Sequence, residues 1–294
     1  MIRYATNGEV RLAYETFGDL EHGEPLLLIM GLDFQMVWWP DAFVERLVRA
    51  GFGVVRFDNR DTGLSTTFAP LERPKPYKAL LGGVAPAYTG RDMLDDALAV
   101  MDAVGWASAT VMGGSMGAAL AQSLAMENPD RVRSLVSAMG APADAGILRT
   151  LRYLRPGVFR TLARIPQGES DEERIAALVE IYRAISSPGY PFDEEWVRSA
   201  AEISHARHPR DQATTQRQLA AGRAHRPPPL ETVTVPTLVI SGVDDPLVRW
   251  QGGRDTARRI PGARFVAYPG MGHSIPAELF DEIVGEIRGL VDEA

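Results

Sequence analysis

The sequence predicts an α/β protein with a mostly parallel sheet, helices on both faces of that sheet, and an inserted helical segment. In the first and last parts of the chain, apolar runs of strand length alternate with helical segments, a pattern typical of parallel sheets. Between residues 142 and 229 the pattern is helical throughout. We therefore expect residues 1–141 and 230–294 to form one core, with residues 142–229 as a helical cap.

The first part of the chain predicts a hairpin followed by alternating strands and helices. Residues 9–18 alternate in hydropathy and pair with the residues before Asn7 and Gly8, whereas residues 25–31 are continuously apolar, like a strand covered on both faces. Helices are predicted in WPDAFVERLVRAG, in GRDMLDDALAVMDAVG and after Ser115, and strands in FGVVRFD, ATVMG and RSLVSAMGA.

The later elements complete this pattern. Inside the helical segment, Ser170 and Glu173 have the spacing of a capping box at the start of a helix. After it come the strands TLVISG and ARFVAYPG, separated by a helix, and the final helix PAELFDEIVGEIRGLV. Because strands resume after the insertion, we expect them to join one continuous sheet.

Composition and charge narrow the classes of function. The chain has 294 residues, a net charge of −7 and no cysteine, so disulfides and cysteine-ligated metals are excluded and nucleic acid is a disfavoured partner. The longest apolar run, PLLLIMGL, is far shorter than the roughly 20 residues that span a bilayer. We expect a soluble cytoplasmic protein with no membrane partner, and a homo-oligomer is compatible with this sequence.

One serine stands among glycines where a predicted strand meets a helix. Gly113 to Gly117 form a G-x-S-x-G pattern around Ser115, and a tight turn at such a place holds the hydroxyl exposed. The alternative is a glycine-rich packing turn in which Ser115 caps the helix. A reactive serine would also need a base to take its proton.

Only one histidine is well placed to act as that base. His273 follows a predicted core strand, whereas the other four lie in an early loop or in the insertion: His22, His205, His208 and His225. His205 and His208 have helical spacing but no third ligand nearby, which favours a solvated helix face over a metal site. We expect neither a metal nor a cofactor.

The remaining parts of a hydrolytic site follow other strands. Asp244 and Asp245 come after TLVISG, so that serine, acid and histidine occur in a known triad order, although Asp-Asp-Pro is also a common turn. An oxyanion needs N–H donors. Met116 directly follows the serine, and Leu32 follows the strand that ends near Gly31, where an ordinary loop is an equally good interpretation.

With these motifs in order, the chain resembles the α/β-hydrolase superfamily over nearly its whole length. The resemblance rests on LLLIMGL, VVRFDNRDTGLS, VMGGSMGA, VPTLVISGVDDPLV and YPGMGHSIP. It implies the α/β-hydrolase fold, with Ser115 as nucleophile, His273 as base and Asp245 as the orienting acid. It also implies that the backbone N–H groups of Leu32 and Met116 form the oxyanion hole.

Individual motifs refine what the resemblance implies. Many members have histidine where this chain has Met30, a departure that leaves the backbone donors in place. Asp245 has the G-x-x-D spacing from Gly242, and the following Pro246 favours an extended backbone there. More narrowly, LLLIMGLDFQMVWWPDAF, RFDNRDTGLST and GYPFDEEW are similar to the aclacinomycin methylesterase group, which implies a methyl ester of an anthracycline-type polyketide as substrate.

We therefore expect a serine hydrolase that cleaves a small-molecule carboxylic ester through an acyl-enzyme intermediate. The alternatives on the same triad are a C–C bond hydrolase, an aminopeptidase and a cofactor-free peroxidase, and a different class is a non-catalytic ligand-binding domain of the same fold. Because the triad and the oxyanion donors all lie outside residues 142–229, we expect bond cleavage not to need side chains of the cap.

Aromatic residues are the candidates for substrate binding. Trp38 and Trp39 follow the oxyanion loop, and the two interpretations for them are a pocket wall and core packing. In the cap, Tyr182, Phe192 and Trp196 are candidates to cover a bulky ligand. Burial of a large apolar group contributes about 25 cal/mol per Å², so we expect the cap to select the substrate.

Overall fold

An eight-stranded sheet forms the centre of the protein, seen in a computed structural model that describes residues 1–69, 78–79 and 84–293. The strands are β1 (Arg3–Asn7), β2 (Val10–Phe17), β3 (Glu24–Ile29), β4 (Phe52–Phe57), β5 (Ala109–Gly114), β6 (Val132–Ala138), β7 (Thr237–Gly242) and β8 (Arg264–Tyr268). Their order in the sheet is β1-β2-β4-β3-β5-β6-β7-β8. Only β2 runs antiparallel to its neighbours, and the other described pairings are parallel. The predicted mostly parallel sheet is confirmed.

Helices connect these strands. They are α1 (Asp41–Arg49), α2 (Gly90–Ala103), α3 (Met116–Glu127), α4 (Ile147–Tyr153), α5 (Pro156–Leu162), α6 (Asp171–Ile185), α7 (Glu194–Arg207), α8 (Gln212–Ala224), α9 (Gln251–Arg259) and α10 (Phe280–Asp292). Gly51 and Gly105, just beyond α1 and α2, take positive φ angles of 90° and 79°, as helix-ending glycines do. In the described part of the chain, no helix is long and apolar enough to cross a membrane.

The core lies in two apolar layers, one on each face of the sheet. Leu27 and Ile29 of β3 point into the layer that also contains residues of α2 and α3. Leu26 and Leu28 point into the opposite layer, with residues of α1 and α10. Successive residues of a strand face opposite sides of the sheet, so a strand covered on both faces has to be apolar throughout, as β3 is.

The helices α4 to α8 lie between β6 and β7. The predicted capping box at the start of α6 is present, with Ser170 and Glu173 bonding to each other's backbone. A second capping box, between Thr89 and Asp92 at the start of α2, was open to recognition in the sequence TGRD. The domain boundaries at 142 and 229 stay a prediction, and we refer below to residues 147–224 as the insertion.

Candidate active site

Ser115 lies in a strained turn between β5 and α3. Its φ and ψ angles are 57° and −117°, a conformation that side chains other than glycine seldom adopt. The flanking glycines make this turn sterically feasible. A Cβ atom on Gly113 would lie 2.0 Å from the carbonyl oxygen of Gly117, and one on Gly117 would lie 2.1 Å from the carbonyl oxygen of Ile29.

The turn presents the Ser115 hydroxyl instead of using it as a helix cap. Ser115 occupies the N-cap position of α3, yet its side chain makes no capping hydrogen bond. The residue is half-buried, and its backbone N–H donates to the Ala138 carbonyl oxygen at 2.9 Å. A Cβ on Gly31 would lie 3.1 Å from the Ser115 Cβ and 3.7 Å from its Oγ, so the loop after β3 passes directly beside the hydroxyl.

Two backbone N–H groups near this hydroxyl are unused. The Leu32 amide, next to Gly31, and the Met116 amide, next to Ser115, donate to no acceptor in the described part of the chain. By contrast, the neighbouring Asp33 amide donates to Gln218 Oε1 at 2.8 Å. Both residues are half-buried, and two free donors beside one hydroxyl suit a site that accepts an oxyanion.

His273 and Asp245 are joined in a buried hydrogen bond. The His273 Nδ1 and Asp245 Oδ2 atoms are 2.7 Å apart, and Asp245 is 1% exposed. The other carboxylate oxygen, Oδ1, accepts the backbone N–H groups of Leu247 at 2.7 Å and Val248 at 2.8 Å. The Asp245 carboxylate therefore binds the imidazole through Oδ2 and is itself held by two backbone N–H groups through Oδ1.

The neighbouring Asp244 faces away from the imidazole. It is exposed, and its Oδ2 accepts the Gly270 N–H at 2.7 Å. With Nδ1–H directed at Asp245, the lone pair of His273 is on Nε2. No hydrogen bond joins Ser115 to His273 within the described part of the chain. Hydrogen bonds of this kind are often long before substrate binds.

The insertion contacts two of these loops, while the expectation that bond cleavage does not need side chains of the cap stays a prediction. Gln218 of α8 accepts the Asp33 N–H, as noted above, and Ser187, after α6, bonds to the backbone on both sides of His273. The His273 N–H donates to the Ile185 carbonyl oxygen at 2.9 Å. The sequence gives no signal for Gln218 or Ser187, because their hydrogen-bond partners are distant in the chain and form no local motif with them.

Two of the aromatic candidates, Trp38 and Trp39, are packed against other aromatic rings. Trp38 and Trp39 are both 4% exposed. Trp38 packs with Tyr182 and Trp196, with ring centroids 4.7 Å and 5.9 Å away. Trp39 stacks on Phe43 in the sheet core, and its ring edge reaches Gly114, beside Ser115. Their burial is what core packing would give.

A cavity of about 400 Å³ lies between the insertion and the segment after His273. Its lining includes three predicted contacts, Tyr182, Phe192 and Trp196, together with Ser274 and Phe280. Neither Trp38 nor Trp39 lines it. Its volume is within the range of small-molecule pockets, about 300 to 1,000 Å³.

Burial changes the ionisation of several groups around the site. It raises the pKa of the Asp33 carboxyl, despite the nearby Arg210 guanidinium, and it also raises the pKa of the Tyr182 hydroxyl. Burial also raises the pKa of Asp58 to about 6, against two backbone N–H donors, one of them from Met36 in the segment after Leu32.

The other histidines take no part in this arrangement. His205 does not lie on a solvated face as predicted: its side chain is 13% exposed, and its Nε2 lies 3.0 Å from Asp171 Oδ1. The prediction failed because α6 packs against α7. Among the described residues, no three histidine or acidic side chains come together as metal ligands do.

Comparison with known proteins identifies the family. The model of the alpha/beta hydrolase fold family matches residues 20–278. The chain belongs to the α/β-hydrolase family. It is 33% identical to rhodomycin D methylesterase DnrP of Streptomyces peucetius over 97% of this chain and 96% of that protein, and 32% identical to rhodomycin D methylesterase DauP of a Streptomyces species, with the same coverage.

Solved structures of other α/β-hydrolases share this architecture. The esterase RhEst1 from a Rhodococcus species superposes with a TM-score of 0.73 at 21% identity, covering 99% of this chain and 98% of that one. A meta-cleavage product hydrolase from Pseudomonas fluorescens superposes with a TM-score of 0.72 at 19% identity, covering 99% and 97%. At such identities the likeness concerns the fold, and the predicted α/β-hydrolase fold is confirmed.

The strain at Ser115 predicts an unusual stability ranking. At ordinary positions glycine destabilises relative to alanine by about 0.5 to 1 kcal/mol. At Ser115 the positive φ angle reverses this preference, and we expect Ser115→Gly to exceed Ser115→Ala in free energy of unfolding by about 1 kcal/mol. Urea denaturation at pH 7 measures the difference.

The matched control for this ranking is Ser199, an exposed residue in the middle of α7. There alanine should be more stable than glycine. Equal or lower stability of Ser115→Gly than of Ser115→Ala would show that the turn stores no strain.

Proposed function

We propose that this protein is a serine hydrolase of carboxylic esters, with Ser115 as nucleophile, His273 as general base and Asp245 as the orienting acid. The observation that carries the proposal is the Ser115 hydroxyl. It makes no hydrogen bond within the described residues, and it lies beside the unused N–H groups of Leu32 and Met116. The buried bond between His273 and Asp245 supports it. Family membership and the methylesterase relatives agree with it.

The first half-reaction forms the acyl-enzyme. As Ser115 Oγ attacks the ester carbonyl carbon, His273 Nε2 takes the hydroxyl proton, and Asp245 stabilises the imidazolium that forms. The carbonyl oxygen becomes an oxyanion, which accepts from the Leu32 and Met116 N–H groups. The carbon–oxygen bond to the alcohol then breaks, and the imidazolium returns its proton to the leaving alkoxide.

The second half-reaction regenerates the serine. A water molecule loses a proton to His273 Nε2 and attacks the acyl carbon, again through an oxyanion between the same two amides. The bond between Ser115 Oγ and the acyl carbon breaks, and the imidazolium protonates Ser115. The products are a carboxylic acid and an alcohol, and no other reactant enters the balance.

We further propose a methyl ester of a bulky, polycyclic compound as the substrate class. Two relatives that match nearly the whole chain are methylesterases of rhodomycin D. The cavity of about 400 Å³ has aromatic side chains from Tyr182, Phe192, Trp196 and Phe280 along its wall, and aromatic rings favour stacked or edge contacts with flat ligands. In this proposal the insertion is the cap that covers the ligand.

Replacement of Ser115 tests the reaction class. Ser115→Ala should reduce hydrolysis of p-nitrophenyl esters by roughly 10⁴-fold or more, because the members of a triad act as a unit. A fluorophosphonate probe should label the wild type and Ser199→Ala, an exposed-serine control, but not Ser115→Ala. Undiminished labelling of a folded Ser115→Ala protein would place the nucleophile elsewhere. An unlabelled wild type would indicate a binding domain.

The two aspartates provide a test of the acid. Asp245→Asn should lower kcat by about 10⁴-fold, since the amide holds the wrong histidine tautomer. Asp244→Asn keeps an oxygen acceptor for the Gly270 N–H and should change kcat by less than about fivefold. The turnover of one p-nitrophenyl ester by both variants shows which aspartate is the orienting acid. A greater loss in Asp244→Asn would reverse the assignment.

Filling the cavity tests the substrate class. Ala42 is exposed and lines the cavity from α1, so Ala42→Trp should shorten it without removing a core contact. Loss of about 60 Å² of apolar burial corresponds to roughly a tenfold lower kcat/KM for a polycyclic methyl ester. p-Nitrophenyl acetate should change by less than about threefold.

The control for this experiment is Ala107→Trp, at an exposed turn before β5 that does not line the cavity. It should leave both substrates unaffected. Equal losses on the large and the small ester with Ala42→Trp would show that the cavity does not hold the bulky part of the substrate.

A further inference from the structure

The loop that carries His273 is fastened by one buried hydroxyl of the insertion. Ser187 Oγ accepts the Gly272 N–H at 2.8 Å and lies 2.7 Å from the Ser274 carbonyl oxygen, to which it donates. Ser187 is 7% exposed. A single side chain thus binds the N–H of the residue before His273 and the carbonyl oxygen of the residue after it.

The backbone around Ser187 fits the same loop closely. The His273 N–H donates to the Ile185 carbonyl oxygen, and the Gly189 N–H donates to the Gly270 carbonyl oxygen, each at 2.9 Å. A Cβ on Gly272 would lie 2.1 Å from the Ser186 carbonyl oxygen, so only glycine allows this approach. Residues 185–189 and 270–274 therefore pack as two paired segments, with the Ser187 hydroxyl between them.

We propose that Ser187 is a positioning residue, which sets where the His273 imidazole lies relative to Ser115. The inference rests on the proposed function. Asp245 fixes the rotation of the ring through Nδ1, but it does not fix the backbone from which the ring extends. Ser187 does so, because a shift of the Gly272 or Ser274 peptide group would break one of its two hydrogen bonds.

The expected consequence is a loss in kcat with KM largely retained. Misplacement of a catalytic group by about 1 Å costs roughly 10²-fold in rate, and Ser187→Ala releases both flanking peptide groups at once. We expect kcat for p-nitrophenyl acetate to fall by about 10- to 100-fold and KM to change by less than about threefold. Substrate binding does not depend on the position of the base.

A buried serine away from the site provides a matched control. Ser134 of β6 is 1% exposed, and its hydroxyl lies 2.8 Å from that of Thr110. It neither lines the cavity nor bonds to the histidine loop. Ser134→Ala deletes the same atom from the protein interior and should keep kcat within about twofold of the wild type.

A spectroscopic measurement separates positioning from a general loss of stability. The His273 Nδ1 proton, bonded to Asp245, should give a far-downfield proton resonance in the wild type, and Asp245→Asn should abolish it. In Ser187→Ala this resonance should shift or broaden, whereas in Ser134→Ala it should stay unchanged. Melting temperatures of both variants are recorded alongside.

The outcomes are distinguishable. If wild-type hydrolysis does not depend on Ser115, the proposed function fails and this inference with it. If hydrolysis depends on Ser115 but Ser187→Ala matches Ser134→Ala in kcat and in the downfield resonance, only the inference fails. If Ser187→Ala does not fold, hydrogen exchange in the wild type decides the question. Positioning by Ser187 requires that the Gly272 amide be protected from exchange at least about 100-fold, and free exchange of that amide overturns the inference.

Discussion

The close approach of three chain segments at Ser115 is the constraint on which the site depends. The end of β3, the turn after β5 and the start of α3 meet where Gly31, Gly113 and Gly117 leave no room for a side chain. This contact forces the left-handed backbone of Ser115, and it brings the loop with Leu32 beside the serine. Without it, neither the exposed hydroxyl nor the pair of unused amides would exist. The Ser115 backbone is strained as a result, and the packing of the sheet around it has to compensate for that strain.

The core supplies the proposed reactive groups, but the insertion contacts two of the loops that carry them. Asp33, which follows Leu32, has a φ of 62° and is bound at its N–H by Gln218. Its carboxylate accepts Thr215 Oγ1 at 2.6 Å and forms an ion pair with Arg210 at 2.7 Å. Because the Asp33 N–H is already bound to Gln218, it does not compete with the Leu32 N–H, which stays free within the described residues.

The sequence predicted those parts of the molecule that depend on local rules. Buried strands, helix-ending glycines and the capping box at Ser170 follow from periodicity and backbone preferences, and Asp245 was favoured over Asp244 by Pro246 and the spacing from Gly242. The sequence could not predict Ser187, because its partners are about 85 residues away in the chain. The same limit made His205 look solvated, since its neighbour Asp171 lies on another helix.

Residues of the insertion that line the cavity also contact the loop that carries His273. In the proposed enzyme this couples the shape of the substrate to catalysis. Tyr182 and Ser187 line the cavity, and both contact Ser274, the residue after His273. A change in the insertion that reshapes the cavity therefore also acts on the backbone of the proposed base. On this view the insertion cannot be exchanged as an independent module, because a new cavity has to keep a hydrogen-bonding partner for the Gly272 and Ser274 peptide groups.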